Sequence, residues 1–520
     1  MKKAIYKLTA SLLAAVLLLA GCGGEPSGGQ TGSDGGETLT VVISADPTIL
    51  DPSHISGSAM GQVVRQMYDT LFVYDESYNI TPWLAEKYEY ENDETLILHI
   101  RKGVKFASGE ELKASDVLFT IQNAQAGTGA SDSFQKILLD KSEIVDEYTL
   151  KLVTDGPVAT LIAGLQLPDT GILSEKAFQE CGGDYLKLAE TGGSGPYKLV
   201  SYTPGDRIVL AANENYWREG EPYYKELIMR FVTDASSRAI EAKTGNADIV
   251  CNIASKDIEE VKNAAGMNFV SESGAQTVYL VCNTQLAPMD NDLVRQAVWY
   301  ALDVQQGVQL AYGGFGSVAE DWVCPGIKGD DAGRAAKYFP ARDVEKAKEL
   351  LAQAGYPDGI EIELSVFSSN QERRDLGEAF QFQLAEAGIK VSLNVMELNA
   401  WSDYVYSGQS HMTFYAMTGM CFEADKCLTQ LMPTSAYYKV ANYVPEEFTS
   451  AVENSLAALD EAERVAYYDE AITLLLENHV TLPCWHNELN AAVKDGIEGF
   501  TLNRSYEHHL FQFVRPAAGS

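Results

Sequence analysis

The chain has 520 residues, 46% of them hydrophobic and 22% charged, with a formal net charge of −34. That balance is typical of a folded globular protein, and the length is enough for two or three lobes with cores of their own. So acidic a surface repels nucleic acid and anionic lipid headgroups, which excludes both as charge-driven partners; it is equally the solvated surface of an exported protein.

Lys2, Lys3 and Lys7 precede an apolar run from Leu8 to Ala20, broken only by Thr9 and Ser11. The run is shorter than the ~20 residues that a bilayer-spanning helix needs, so it reads as a signal peptide covering residues 1–21. It closes on Leu19-Ala20-Gly21-Cys22, the bacterial lipobox pattern, in which Cys22 is acylated (palmitate among the chains) and becomes the first mature residue. Loss of the three lysines takes the charge to −37. Residues 22–37 hold almost nothing that can be buried and behave as a Gly-rich tether, with a reach of roughly 20 Å for about 15 residues. The expectation is an exported protein, lipid-anchored on the extracytoplasmic face of the cell membrane.

Beyond the tether, residues 39–43 form a β-rich run. Leu96, Leu98 and Ile100 alternate with polar neighbours behind an Asn92-Asp93 turn. Ser115 or Asp116 caps a helix that places Val117, Leu118 and Ile121 on one face. Ile144-Val145 and Leu150 to Leu152 flank a second hairpin turn at Asp146-Glu147. Gly195-Pro196 reads as a turn whose glycine permits positive φ and whose proline fixes the next residue. Arg295, on a helix over 293–302, is expected to pair with a carboxylate of its own lobe. Asp343 caps a helix carrying Val344, Ala347, Leu350, Leu351 and Ala354 at helical spacing, ended by Gly355 and Pro357. Ile360, Ile362, Leu364 and Val366 alternate as a strand, 376–387 reads as a helix stopped by Gly388, and Ile389, Val391, Leu393 and Val395 alternate again. That is a βαβ unit, two parallel strands joined by a right-handed crossover. The fold class is therefore α/β with an additional β-rich lobe.

Eight cysteines are present, seven besides Cys22. No CxxC or CxxH spacing occurs, and histidines number only seven, with one adjacent pair, His508-His509. Neither a metal site nor a cofactor is expected.

Several stretches, in order, carry a family resemblance. They include Ala45-Asp46-Pro47-Thr48-Ile49-Leu50-Asp51-Pro52, Tyr68-Asp69-Thr70-Leu71-Phe72, Pro82-Trp83-Leu84-Ala85-Glu86 and Leu98-His99-Ile100-Arg101-Lys102-Gly103-Val104-Lys105-Phe106. Gly193-Ser194-Gly195-Pro196-Tyr197, Asn213-Glu214-Asn215-Tyr216-Trp217, Gly245-Asn246-Ala247-Asp248-Ile249, Val294-Arg295-Gln296-Ala297 and Ala347-Lys348-Glu349-Leu350-Leu351 follow. Together, behind a lipobox, they resemble the extracellular solute-binding protein family 5, the peptide- and nickel-type receptors of ABC importers. The resemblance implies a periplasmic-binding-protein-like (class II, Venus flytrap) fold of three lobes around a hinged cleft. It also implies a monomer that hands its cargo to permease subunits. Lobe I then takes 38–70, 192–285 and 490–516, lobe II 71–191, and lobe III 286–489, with hinge strands near 285 and 489.

The same resemblance suggests where cargo is held. Peptide-binding relatives use a Gly-Trp-x-x-Asp stretch whose aspartate meets the peptide α-ammonium group. Here Gly419-Met420-Cys421-Phe422-Glu423 corresponds, with Met420 at the tryptophan position and Glu423, or alternatively Asp425, as the anchor. Where tripeptide-binding relatives keep basic residues for the ligand carboxylate, this chain reads Tyr415-Ala416-Met417-Thr418. Trp401 and Tyr404 are cleft or core aromatics. Trp485 and His486 match aromatic positions on the return to the first lobe, and Ser53, His54 and Ile55 match a loop that pairs with peptide main chain. A relative's bonded cysteines suggest a Cys282–Cys421 disulfide; Cys421–Cys427 is the local alternative.

No HExxH, P-loop, GxSxG elbow or Rossmann glycine pattern is present, so no enzyme is expected. The reading is a receptor for peptides, oligopeptides being expected; longer peptides whose ends leave the site, or a different solute class, would each explain the missing carboxylate partner. The alternatives are an oligosaccharide or nickel-chelate receptor of the same family and, in another class, a lipid-anchored hydrolase or transpeptidase.

Overall fold

The computed structural model describes residues 38–55, 57–75, 77–126, 132–504 and 509–518. The signal peptide, Cys22, the tether and His508 lie outside them. Among the described residues no helix is long and apolar enough to cross a membrane.

Two long antiparallel strands, Met267–Cys282 and Thr481–Lys494, run side by side through the centre of an eleven-stranded sheet. On one side Thr481–Lys494 leads to Ile249–Cys251, Thr38–Ile43, Glu226–Phe231, Arg207–Ala212 and Tyr197–Thr203. On the other, Met267–Cys282 leads to Met412–Thr418, Ile360–Phe367 and Ile389–Met396. The two outermost strands run parallel, Ile360 opposite Ile389, joined by the helix Gln371–Glu386. The helix begins before residue 376 because Asn370 caps it, accepting from the Arg373 N–H.

The alternating strands bury their apolar faces in three large clusters. One gathers Leu39, Val41, Ile43, Tyr197, Leu210, Met229, Ile249, Ala491 and Phe511. A second joins Leu71, Leu98, Ile121 and Leu150 around the four-stranded antiparallel sheet Ala85–Asn92, Thr95–Ile100, Thr149–Val153, Glu143–Asp146. The third holds Leu280, Trp299, Leu364, Phe380, Phe414 and Tyr468. Only the two central strands carry the sheet from the first core to the third. Their ladder breaks between Ser273 and Thr277. There Asn487 Oδ1 accepts the Gln276 N–H at 2.9 Å, and a Cβ on Gly274 would lie 1.9 Å from that oxygen. A bulge of this kind interrupts the sheet where it passes between cores and permits bending there.

Asp343 caps Val344–Gln353 as its position predicts, accepting from the Lys346 N–H. Arg295 pairs with Asp292 at 3.1 Å on its own helix, Asp292–Ala301. The glycine at 195 does not use its freedom of positive φ; it is required because the Met67 backbone lies within 2.7 Å of where its Cβ would be. Neither disulfide forms: Cys282, Cys421 and Cys427 are free thiols. Cys282 pairs with Met412 across the ladder, and Gln276 with Thr418. Cys421 lies past Thr418, so Cys282 is six strand positions, about 20 Å, away from that end.

Candidate functional site

A cavity of about 780 Å³ opens between the second and third cores, within the range of ligand pockets in proteins. Lys136, Pro157, Thr160 and Leu161 line it from one side. Gln276, Arg373, Trp401, Tyr406, Tyr415, Met420, Asp425, Lys426 and Tyr437 line it from the other. The two cores already touch beside it. Ala159 N–H donates to the Leu456 carbonyl at 3.1 Å, and Cys421 Sγ to the Ala163 carbonyl at 3.4 Å.

Asp425 begins the short helix Asp425–Leu428 and is 1% exposed. Its Oδ2 accepts from Thr160 Oγ1 at 3.0 Å across the cleft, and its Oδ1 from the Lys426 N–H at 2.7 Å. Burial, reinforced by nearby Glu423, raises its pKa, while Lys426 and the Thr160 hydrogen bond oppose the rise. A desolvated carboxylate beside a cavity favours a cationic visitor.

Arg373 stands in the first turn of Gln371–Glu386. Its guanidinium lies 5.1 Å from the Phe367 ring centroid, and its buried Nε has no partner. Among the described residues no carboxylate forms an ion pair with it. Burial depresses its pKa; neighbouring Tyr312, Glu372 and Tyr415 act against the shift. The wall beside it is aromatic. Trp401 packs on Phe367 and Tyr406 at 5.2 and 6.0 Å, and Tyr406 on Tyr437 at 5.0 Å. The cavity therefore presents an acidic group and an unpaired cation together.

Of the residues singled out in the sequence, Asp425, Met420 and Trp401 line this cavity. Trp401 is also a core residue: its Nε1 donates to Thr413 Oγ1 at 3.1 Å. Glu423 does not line it. Its carboxylate is 4% exposed and is taken up by Arg464 Nε and Nη2, both at 3.1 Å, by the Tyr468 hydroxyl at 3.0 Å, and by Lys328 at 3.2 Å. With two cations and a hydroxyl already on it, it has no capacity left for a ligand ammonium.

Tyr404, Trp485, His486, Ser53, His54 and Ile55 do not line the cavity either. Tyr404 lies on the outer side of Leu398–Tyr406, near Glu363. Trp485 stacks on Tyr312 at 4.1 Å and donates to the Phe315 carbonyl. His486 is buried against Thr277 and Cys324, where desolvation lowers its pKa to about 4 and keeps it neutral. Ser53 and His54 both turn back onto Asp51, at 2.7 and 2.6 Å, and Ile55 packs on the first core.

Arg373 is not among the residues that the sequence singles out, because the resemblance points to Tyr415–Thr418 for the cation, on a different element. One signal was available. A cation in the first turn of a helix opposes the macrodipole and calls for another reason to be there.

A cavity between the second and third cores, in a molecule whose first and third cores are joined by two continuous strands, is an arrangement suited to a substrate-binding receptor. The chain is 27% identical to heme-binding protein A of Haemophilus influenzae, over 95% of this chain and 96% of that one. It is equally 27% identical to the glutathione-binding protein GsiB of Salmonella choleraesuis, over 89% and 91%. Among solved structures it resembles AgaA from A. tumefaciens R10, in complex with agropinic acid, with a TM-score of 0.79 and 27% identity, over 93% and 99% of the two chains. The profile of the bacterial extracellular solute-binding proteins, family 5, matches residues 79–439. The chain belongs to that family and is a solute-binding protein of an ABC importer.

Proposed function

We propose that this chain captures short peptides, or other small solutes carrying both an ammonium and a carboxylate group, and delivers them to its permease. The observation that supports this is the presence of Asp425 and Arg373 in one cavity: a buried carboxylate that accepts from a hydroxyl and a backbone N–H with the Lys426 charge nearby, and a guanidinium whose Nε has no partner. A zwitterion satisfies both, through charge-assisted hydrogen bonds worth roughly 1.5–3 kcal/mol each. Two of the three relatives at 27% identity take small acidic solutes by their names, the third being heme-binding protein A. Glutathione is a tripeptide with free carboxylates, and agropinic acid is itself an acid. An uncharged oligosaccharide would leave both charges unanswered. In this reading Asp425 replaces Glu423 as the ammonium anchor, Arg373 receives the acidic end, and the three cores act as lobes that close about the bulge at 274–276.

The experiment is calorimetric titration with di- to pentapeptides, alongside N-acetylated and C-amidated versions of each. Tight binding that weakens at least 10-fold with either modification is expected. Equal binding of blocked and free peptides, or no peptide binding, overturns the reading. We further propose attachment to the membrane through Cys22; Cys22→Ser should release the protein from membrane fractions and abolish incorporation of labelled palmitate.

A further inference from the structure

The segment from Met420 to Asp425 stands between two cavities. Met420 and Asp425 line the one described above. A second, of about 760 Å³, lies between the first and second cores, with Tyr74, Tyr78, Trp83 and Phe513 in its wall. Between the two sits Phe422. Its ring packs on Tyr74 and Tyr78, with centroids 5.1 and 4.3 Å away. The Arg504 guanidinium lies over the same group, 5.6 Å from the Tyr78 centroid and 5.7 Å from that of Phe422. Arg504 Nη2 also donates to the carbonyls of Gly274 and Pro325, at 3.0 and 2.7 Å. Phe422 belongs to the third core and the tyrosines to the segment leading into the second. Arg504 comes from the chain's return past the first.

Two features mark this stack as a part that moves. Cys421 and Phe422 hold φ of +64° and +57°, two successive non-glycine residues in the left-handed region. Bulky side chains keep that conformation only where surrounding contacts compel it. The contacts that hold it are Cys421 Sγ to the Ala163 carbonyl, the Phe422 N–H to the Gly419 carbonyl at 3.1 Å, the Lys328 N–H to the Phe422 carbonyl at 2.8 Å, and the packing of the Phe422 ring itself. The Tyr74 hydroxyl, meanwhile, is buried with no hydrogen-bond partner. A buried hydroxyl without a partner beside a binding cleft is free to donate to, or accept from, a polar group of a ligand.

We propose that Phe422 is a displaceable partition that sets the length of the ligand. Seated between Tyr74 and Tyr78, it confines a solute to the cavity of Asp425 and Arg373. Swung aside, it relaxes the backbone at Cys421–Phe422 and joins the two cavities into one groove. That groove takes a longer, extended peptide, whose main chain meets the Tyr74 hydroxyl. The inference rests on the peptide reading above for its ligand, but not for its geometry.

The test has two arms. In the first, without ligand, the native protein and Phe422→Ala are exposed to a maleimide and each cysteine's alkylation is followed by peptide mapping. Cys421 should react at least 10-fold faster in the variant, while Cys282 and Cys484, buried in the third core, should not change. In the second, free peptides of two to nine residues are titrated into both proteins. Phe422→Ala should gain at least 10-fold for the longest peptides and change little for the shortest. Tyr78→Leu, which removes the ring opposite, should move in the same direction, and thermal unfolding checks that both variants are folded. Unchanged Cys421 reactivity in Phe422→Ala overturns the partition. So does a length profile that shifts uniformly. Faster alkylation with no peptide bound at any length leaves the partition standing and removes the peptide reading instead.

Discussion

The two sides of the segment 419–428 treat charge in opposite ways. On the inner side Glu423 is closed into a network with Arg464, Tyr468 and Lys328, two cations and a hydroxyl for one carboxylate. On the outer side Asp425, two residues on, has a threonine hydroxyl, one backbone N–H and the charge of Lys426 nearby but no direct ion pair, and faces a cavity that also holds Arg373. Both carboxylates are buried, so burial alone does not distinguish a binding group from a structural one. What distinguishes them is whether the protein already supplies the counter-charge.

The sharpest way to break that comparison is to neutralise each side. Glu423→Gln leaves Arg464 buried with no full counter-charge and should destabilise the protein by about 3–5 kcal/mol. Chemical denaturation measures this. The ratio of affinities for free and acetylated peptides should stay as in the native protein, and a collapse of that ratio would return the anchor to Glu423. Asp425→Asn should do the reverse. Affinity for a peptide with a free amino end falls about 10–100-fold, equivalent to roughly 1.4–2.8 kcal/mol, while an acetylated peptide is unaffected. Stability at neutral pH should hold or rise, since a desolvated charge has been removed.

The same residue dictates a pH dependence. Its folded-state pKa is raised by burial, so the empty protein is relieved of a penalty as pH falls below that value and carries it as pH rises. An ammonium ligand needs the ionised form. Affinity should therefore weaken as pH drops through the raised pKa, and Asp425→Asn should flatten the profile. Titrations across pH 4 to 8 decide this, and an equally steep profile in the variant would locate the titrating group elsewhere.

Smaller effects follow from the partners. Arg373→Gln should cost about 10-fold for peptides with a free carboxylate and nothing for their amides. Thr160→Val removes the hydrogen bond that crosses to Asp425 and should weaken binding by about 1 kcal/mol, near 5-fold, without regard to blocking groups. A loss confined to free-amine peptides would mean that Thr160 orients the carboxylate rather than helping to hold the cores together.

Much of this protein is set by local patterning. Strict alternation at 360–366 and 389–395, with a glycine-stopped helix between, specified a parallel βαβ unit, because period and connection length leave few other solutions. Ordered motifs then placed the whole chain in its family. The helix Ser58–Val64 was less legible, as it follows Gly57 with no side-chain cap to announce it. The anchor was narrowed to two carboxylates and no further. Glu423 and Asp425 differ in fate because of Arg464 and Thr160, 41 residues downstream and 265 upstream respectively. Nothing in the local sequence reports which long-range partner each will meet. Arg373 entered the site for the same reason: the crossover helix returns over the strand Met412–Thr418, a contact that exists only after the sheet has formed. The sequence by itself determined the scaffold, since periodicity and turn chemistry act between neighbours. Only the tertiary structure decided which charges were answered within the protein and which were left for a ligand, since that depends on residues brought together from across the chain.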